Sequence, residues 1–116
     1  MTGEMKIAFK TSKLQKRCNR FKEASRAWGF DNARILNRRL QEIDAVENLE
    51  EFVHLPGPKC HPLVGHRNGQ WACSLAGLWR LIFVPDGDPA SYLKDGKVVT
   101  TLVSQIKVVE IEDYHG

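Results

Sequence analysis

Trp71-Ala72-Cys73-Ser74-Leu75-Ala76-Gly77-Leu78-Trp79-Arg80-Leu81-Ile82-Phe83-Val84 is the stretch whose reading decides the fold. Trp71, Cys73 and Leu75 alternate with Ala72 and Ser74, a period of two that turns one face of a strand toward a core and the other away. Ala76-Gly77 supplies a turn. Trp79 to Val84 is then apolar on both faces except at Arg80, as expected of a central strand. The pair predicts a β-hairpin, and the same alternation assigns Trp71 and Trp79 to the core rather than to a base-stacking surface.

Upstream, Leu55-Pro56-Gly57-Pro58 marks where the period changes, because each proline removes a backbone donor and biases its predecessor toward extended geometry. Before that break the spacing is helical. Thr11-Ser12 offers an N-cap, and Leu14, Cys18, Phe21, Ser25 and Trp28 form a stripe that Gly29 ends. Asp31 or Asn32 caps a second helix whose buried positions are Ile35, Leu36, Leu40, Ile43 and Val46. Lys6-Ile7-Ala8-Phe9 precedes both as a short strand. Downstream, Pro85 to Gln105 contains the turn-rich runs Asp86-Gly87-Asp88-Pro89 and Lys94-Asp95-Gly96-Lys97, expected as a mobile loop or an edge hairpin. Ile106 to Ile111 supplies a last strand. The expected architecture is α+β: an N-terminal strand and a two-helix hairpin packed on a mainly antiparallel β-sheet of about four strands, in one domain over residues 1–116.

A chain of 116 residues carries one core and one main site. Its hydrophobic fraction of 42% and charged fraction of 27% are those of a globular protein, and no apolar run approaches the ~20 residues of a membrane span. The first residues lack the apolar stretch of a secretory signal, and Cys18, Cys60 and Cys73 are odd in number and widely spaced, so a reducing cytoplasm is expected with the cysteines as core fillers. Net charge is +3 but unevenly placed. Residues 1–40 hold eleven Lys and Arg against Glu4, Glu23 and Asp31, whereas the next fifteen hold five acids and no Lys or Arg. A basic first third suits a polyanion, and Lys13, Lys16, Arg17 and Arg20 are its candidate contacts; a solvated helix face has the same composition.

Cys60-His61-Pro62-Leu63-Val64-Gly65-His66-Arg67-Asn68-Gly69-Gln70-Trp71, then Leu78-Trp79-Arg80-Leu81-Ile82-Phe83, then Val109-Glu110-Ile111-Glu112-Asp113-Tyr114-His115 follow one another in an order and spacing that resemble the HigB-like toxins of the RelE/ParE superfamily, the plasmid maintenance killer proteins, over roughly residues 6 to 115. That family shows His-Pro-Leu-x-Gly, Gly-x-Trp, x-Trp-Arg-x-x-Phe and a terminal Asp-Tyr-His; the long connection before the last strand looks like that of a longer-chain subgroup. The resemblance implies a RelE-like fold and a type II toxin that cleaves mRNA in the ribosomal A site, inhibiting translation. It also implies a cognate helix-turn-helix antitoxin, HigA-like, with operator DNA bound only through the toxin–antitoxin complex. It assigns catalytic positions to His61, Asp113, Tyr114 and His115, and phosphate binding to Arg80. One position departs. Val64 stands where family members carry a lysine, which removes a cation from the site; His66 and Arg67, RNA-binding candidates close by in sequence, are placed to compensate.

RNA cleavage without a metal or cofactor needs a base for the 2′-hydroxyl proton, cations for the charge gathering on phosphate, and an acid for the departing 5′-oxygen. Its products are a 2′,3′-cyclic phosphate and a 5′-hydroxyl. Histidine fits either proton role near neutral pH, so His61 and His115 are the natural pair. Asp113 either fixes a histidine tautomer or is itself the base, Tyr114 stacks on a base or donates a hydrogen bond, and Arg80 grips phosphate through two parallel donors. Alternation along an extended tail sets Asp113 and His115 on one face and Tyr114 on the other, so an irregular C-terminus is expected. No C-x-x-C or H-x-x-x-H pair supports a metal site. Two other functions fit the same fold: a ParE-like inhibitor that binds DNA gyrase without acid–base residues, and a silent relative retained for binding antitoxin or operator DNA.

Overall fold

The computed structural model describes residues 4–114. Strand β1 (Lys6–Phe9) leads into three helices, α1 (Ser12–Asn19), α2 (Phe21–Trp28) and α3 (Phe30–Ala45), followed by a short α4 (Leu49–Val53). Strands β2 (His61–Pro62), β3 (Trp71–Ser74) and β4 (Trp79–Pro85), a two-stranded hairpin β5 (Leu93–Lys94) with β6 (Lys97–Val98), and the long β7 (Gln105–Asp113) complete the chain. The main sheet has five strands in the order β1-β7-β4-β3-β2. Its β1–β7 pairing is parallel and the other three are antiparallel. The architecture is α+β with a mixed sheet.

The Trp71–Val84 hairpin is present, Cys73 facing Leu81 and Trp71 facing Phe83. With Ile106 and Val108 these side chains meet Leu36, Ile43, Leu49 and Phe52 from the helices, forming the main core on one face of the sheet. Phe52 and Phe83 are fully buried and contact edge to face at 6.3 Å between centroids. Truncating either to alanine costs about 3–5 kcal/mol, because the cavity closes only partly.

The helical region differs from a plain two-helix hairpin. Thr11 caps α1 as expected, its Oγ1 accepting from the Leu14 N–H at 3.0 Å, but Arg20 adopts extended geometry and divides the first segment into α1 and α2. Gly29, at φ 93°, ends α2 and begins α3, a conformation open to glycine at little cost. Neither Asp31 nor Asn32 caps α3. Asn32 is buried instead, donating to the Trp28 carbonyl and accepting from the Ala76 N–H, so it ties the helix junction to the hairpin turn. Buried Arg39 does the same further along: Nε donates to the Ser74 carbonyl at 2.8 Å, Nη1 to Glu42 and Nη2 to the Gly57 carbonyl, which anchors the proline-rich break against β3.

Residues 85–105 contain the small β5–β6 hairpin, turned by Asp95 and Gly96, both at positive φ. Tyr92 and Val98 pack it onto the main core. The three cysteines are free and buried; burial pushes the Cys18 and Cys60 thiols up to about 12 and Cys73 higher still, leaving all three protonated at neutral pH. No helix among the described residues is long and apolar enough to cross a membrane.

Candidate active site on the helix-free face of the sheet

On the face of the sheet away from the helices, a second small cluster of Leu63, Ala72 and Ile82 is flanked by Val109. Residues directly opposed in antiparallel strands point to the same face. One row therefore runs Ser74, Arg80 and Glu112, and the next His61, Ala72, Ile82 and Glu110. The second row depends on a bulge. Ile82 pairs with Glu110 and Phe83 with Val108, which leaves Val109 as an extra residue in β7. Val108 faces the main core while Glu110 and Glu112 share the opposite face with Arg80.

Above these rows lies a cleft of about 650 Å³ lined by Leu63, Val64, His66, Arg67, Leu78, Arg80, Glu112, Asp113 and Tyr114. Its centre is a chain of charges. Arg80 Nε donates to Glu112 Oε2 at 2.6 Å, and Nη2 lies 2.6 Å from the same oxygen. Glu112 Oε1 accepts from Arg67 Nη2 at 2.5 Å, and the same nitrogen reaches Glu110 Oε1 at 2.9 Å, while Arg67 Nη1 donates to Gln70 Oε1 at 2.7 Å. Partial burial pushes the Glu112 carboxyl up, but the hydrogen bonds and positive charges of Arg80 and Arg67 outweigh it and hold the group below the ordinary carboxylate value. The hydrogen bond to Glu110 is the largest of the effects that raise Arg67 above its usual value, with Glu112 adding to it. Asp113, the next residue of β7, also lines the cleft.

The strand ends at Asp113, and Tyr114 leaves it: its N–H donates to the Leu78 carbonyl at 3.0 Å, and its ring covers the Arg80 guanidinium at 4.0 Å from the centroid. His61 lies outside the cleft lining. It shares the face, but β2 and β4 are two strand spacings apart, roughly 10 Å, so it stands to one side of Arg80. Its Nδ1 is 2.9 Å from the Lys59 carbonyl oxygen. A carbonyl only accepts, so Nδ1 carries the proton in the neutral ring and Nε2 keeps the lone pair of a base. Val64 is 83% exposed at the rim, where a longer side chain would reach the cleft. His115 lies outside the described residues.

The fold places this chain beside a solved structure. Over 96% of its length and 100% of the other's, the chain matches a YoeB/ParE toxin from Agrobacterium tumefaciens with a TM-score of 0.57 and 13% identity. The fold is that of a YoeB/ParE toxin. At such low identity the likeness is one of fold, and no family model and no curated protein sequence matches the chain.

Within this toxin-like fold the structure gathers Arg80, Asp113 and Tyr114 with His66 and Arg67 in one cleft. Lys13, Lys16, Arg17 and Arg20 are elsewhere, on and just after α1: Lys13 and Arg17 border a groove with Trp28 and Ile111, and Lys16 and Arg20 border a shallower one with Asn19. Among the described residues none of these four forms an ion pair. Sequence reasoning missed Glu110 and Glu112 as members of the site. The signal available was two glutamates spaced two apart in a strand opposite Arg80; the bulge that aims them there has no sequence mark.

Proposed function

We propose that the chain is the toxin of a type II toxin–antitoxin pair, of the HigB-like branch of the RelE/ParE superfamily, and that it is a ribosome-dependent mRNA endonuclease. The observation that carries this is the convergence of Arg80, Asp113 and Tyr114, the Trp-Arg and Asp-Tyr motifs of the family, in one cleft of a YoeB/ParE-type fold. Arg80 grips the scissile phosphate and bears its transition-state charge, with Arg67 as the second cation where the family has a lysine at Val64. Tyr114, already stacked on Arg80, presents an aromatic edge to a splayed base. The 2′-oxygen attacks phosphorus while its proton passes to a base, and the 5′-oxygen leaves with a proton from an acid. His61, His115 and Asp113 are the candidates for these two roles, and the free Nε2 of His61 suits the base.

The cations of α1 contact ribosomal RNA, and the cognate partner is a HigA-like helix-turn-helix antitoxin through which the pair reaches operator DNA. The site of action is the bacterial cytoplasm. Expression in a bacterium, with ribosome-bound mRNA mapped for new 5′-hydroxyl ends, tests the proposal. Arg80→Ala and His115→Ala are each expected to relieve growth arrest with unchanged far-ultraviolet circular dichroism. Full toxicity in both variants rejects the site; gyrase-linked DNA breaks without mRNA ends assign a ParE-like binding activity instead.

A further inference from the structure

We propose that Glu112 is an exchangeable internal ligand of Arg80: an incoming phosphate displaces it from the guanidinium, and Arg67 keeps the displaced carboxylate. The inference rests on the phosphate-binding role of the cleft given above and adds the residue that controls access to it. Nε and Nη2 form the edge of a guanidinium that grips an anion through two parallel donors, and Glu112 Oε2 lies against that edge, 2.6 Å from each nitrogen. A phosphate gripped on that edge through two of its oxygens needs the same two nitrogens at ~2.7–2.9 Å, so carboxylate and phosphate exclude one another there.

Displacement leaves no charge stranded. The other oxygen of Glu112 is already on Arg67 Nη2. Arg67 itself is fixed by Glu110 and Gln70, so it stays in place when Arg80 is given up. Arg80 is equally constrained, because the Tyr114 ring lies over its plane. The moving part is a single carboxylate, which turns from a bridge between two arginines to the partner of one. A phosphodiester bears one negative charge, as does the carboxylate it replaces, so the exchange is near even. Free RNA therefore binds the cleft weakly, and occupancy depends on contacts elsewhere that raise the local concentration of phosphate, as a ribosome-held message does.

The test uses a fluorescently labelled 2′-O-methyl RNA trinucleotide, which lacks the attacking hydroxyl, titrated into the full chain at low salt and followed by anisotropy. Glu112→Gln and Glu112→Ala are expected to bind it about fivefold or more tighter than the unaltered protein, since the competing charge is gone. The gain should vanish when Arg80→Ala is added. Unchanged or weaker binding in both Glu112 variants, with native circular dichroism, overturns the exchange, as does a gain that persists without Arg80 or an absence of binding in every form. A gain in affinity without mRNA cleavage in cells leaves the exchange standing and removes the nuclease alone. Cleavage without the gain does the reverse.

Discussion

The cleft and the exposed side of α1 both present arginine or lysine, yet they are opposite in electrostatic character. In the cleft Arg67 and Arg80 are engaged by Glu110 and Glu112, and Asp113 stands beside them. On and just after α1, Lys13, Lys16, Arg17 and Arg20 form no ion pair among the described residues. Unpaired cations release counterions when they meet phosphate and so supply affinity without sequence preference. Paired cations supply little net attraction but hold their geometry, which chemistry on a single phosphate requires. Under the proposed function the two regions divide the work: one attracts RNA and the other positions it.

The sharpest way to break this division is Arg80→Ala. Removing the cation proposed to grip the reacting phosphate should lower the yield of new 5′-hydroxyl ends about 100- to 1,000-fold while ribosome association changes little. Equal losses in both would show that Arg80 only binds. Next in size is the converse variant, with Lys13, Lys16, Arg17 and Arg20 all replaced by alanine. Ribosome binding should weaken about tenfold or more at moderate salt, and its logarithmic salt dependence should become shallower by roughly 0.7–0.9 for each lost phosphate contact. An unchanged slope assigns that face to solvent or to the antitoxin.

A smaller effect tests whether the cleft is short of positive charge. Val64→Lys places an unpaired ammonium at the rim and should raise cleavage by about threefold to tenfold in the same mapping experiment, a change on the order of 1 kcal/mol in transition-state stabilisation. No gain would mean that Arg67 already fills the role. The smallest effect concerns pH. The folded carboxyl of Glu112 lies below its ordinary value of about 4.3, so its contribution to stability is complete above that pH and is lost as pH falls through the folded value. Urea midpoints measured across this acid window should fall less steeply for Glu112→Gln than for the unaltered protein; parallel curves would show that the bridge adds no stability.

The strand and helix pattern was largely legible because burial is periodic. The alternation of Trp71, Cys73 and Leu75 gave the hairpin, and the Pro56-Gly57-Pro58 break fell where the helices end. The break at Arg20 was not legible, since Leu14, Cys18 and Phe21 keep helical spacing across it. Asn32 reads as a candidate helix cap and Arg39 carries no mark in the sequence pattern, yet each is buried, its hydrogen bonds completed by the turn amide of Ala76 or the β3 carbonyl of Ser74. In the site, Arg80, Asp113 and Tyr114 were legible through the motif resemblance. His61 was legible as a residue but not in its distance from Arg80, which depends on strand order.

Amino-acid order alone settled the classes of element, the positions of the turns and the identity of the one arginine in an otherwise apolar strand, because these follow from local propensity and the period of burial. Regular alternation from Val108 would have set Glu110 and Glu112 on the core face, where unpaired carboxylates are costly. The extra residue at Val109 reverses that sense and delivers both to Arg67 and Arg80. A bulge is a property of two paired strands rather than of either one, so the charge state of the cleft was decided only when β4 and β7 came together.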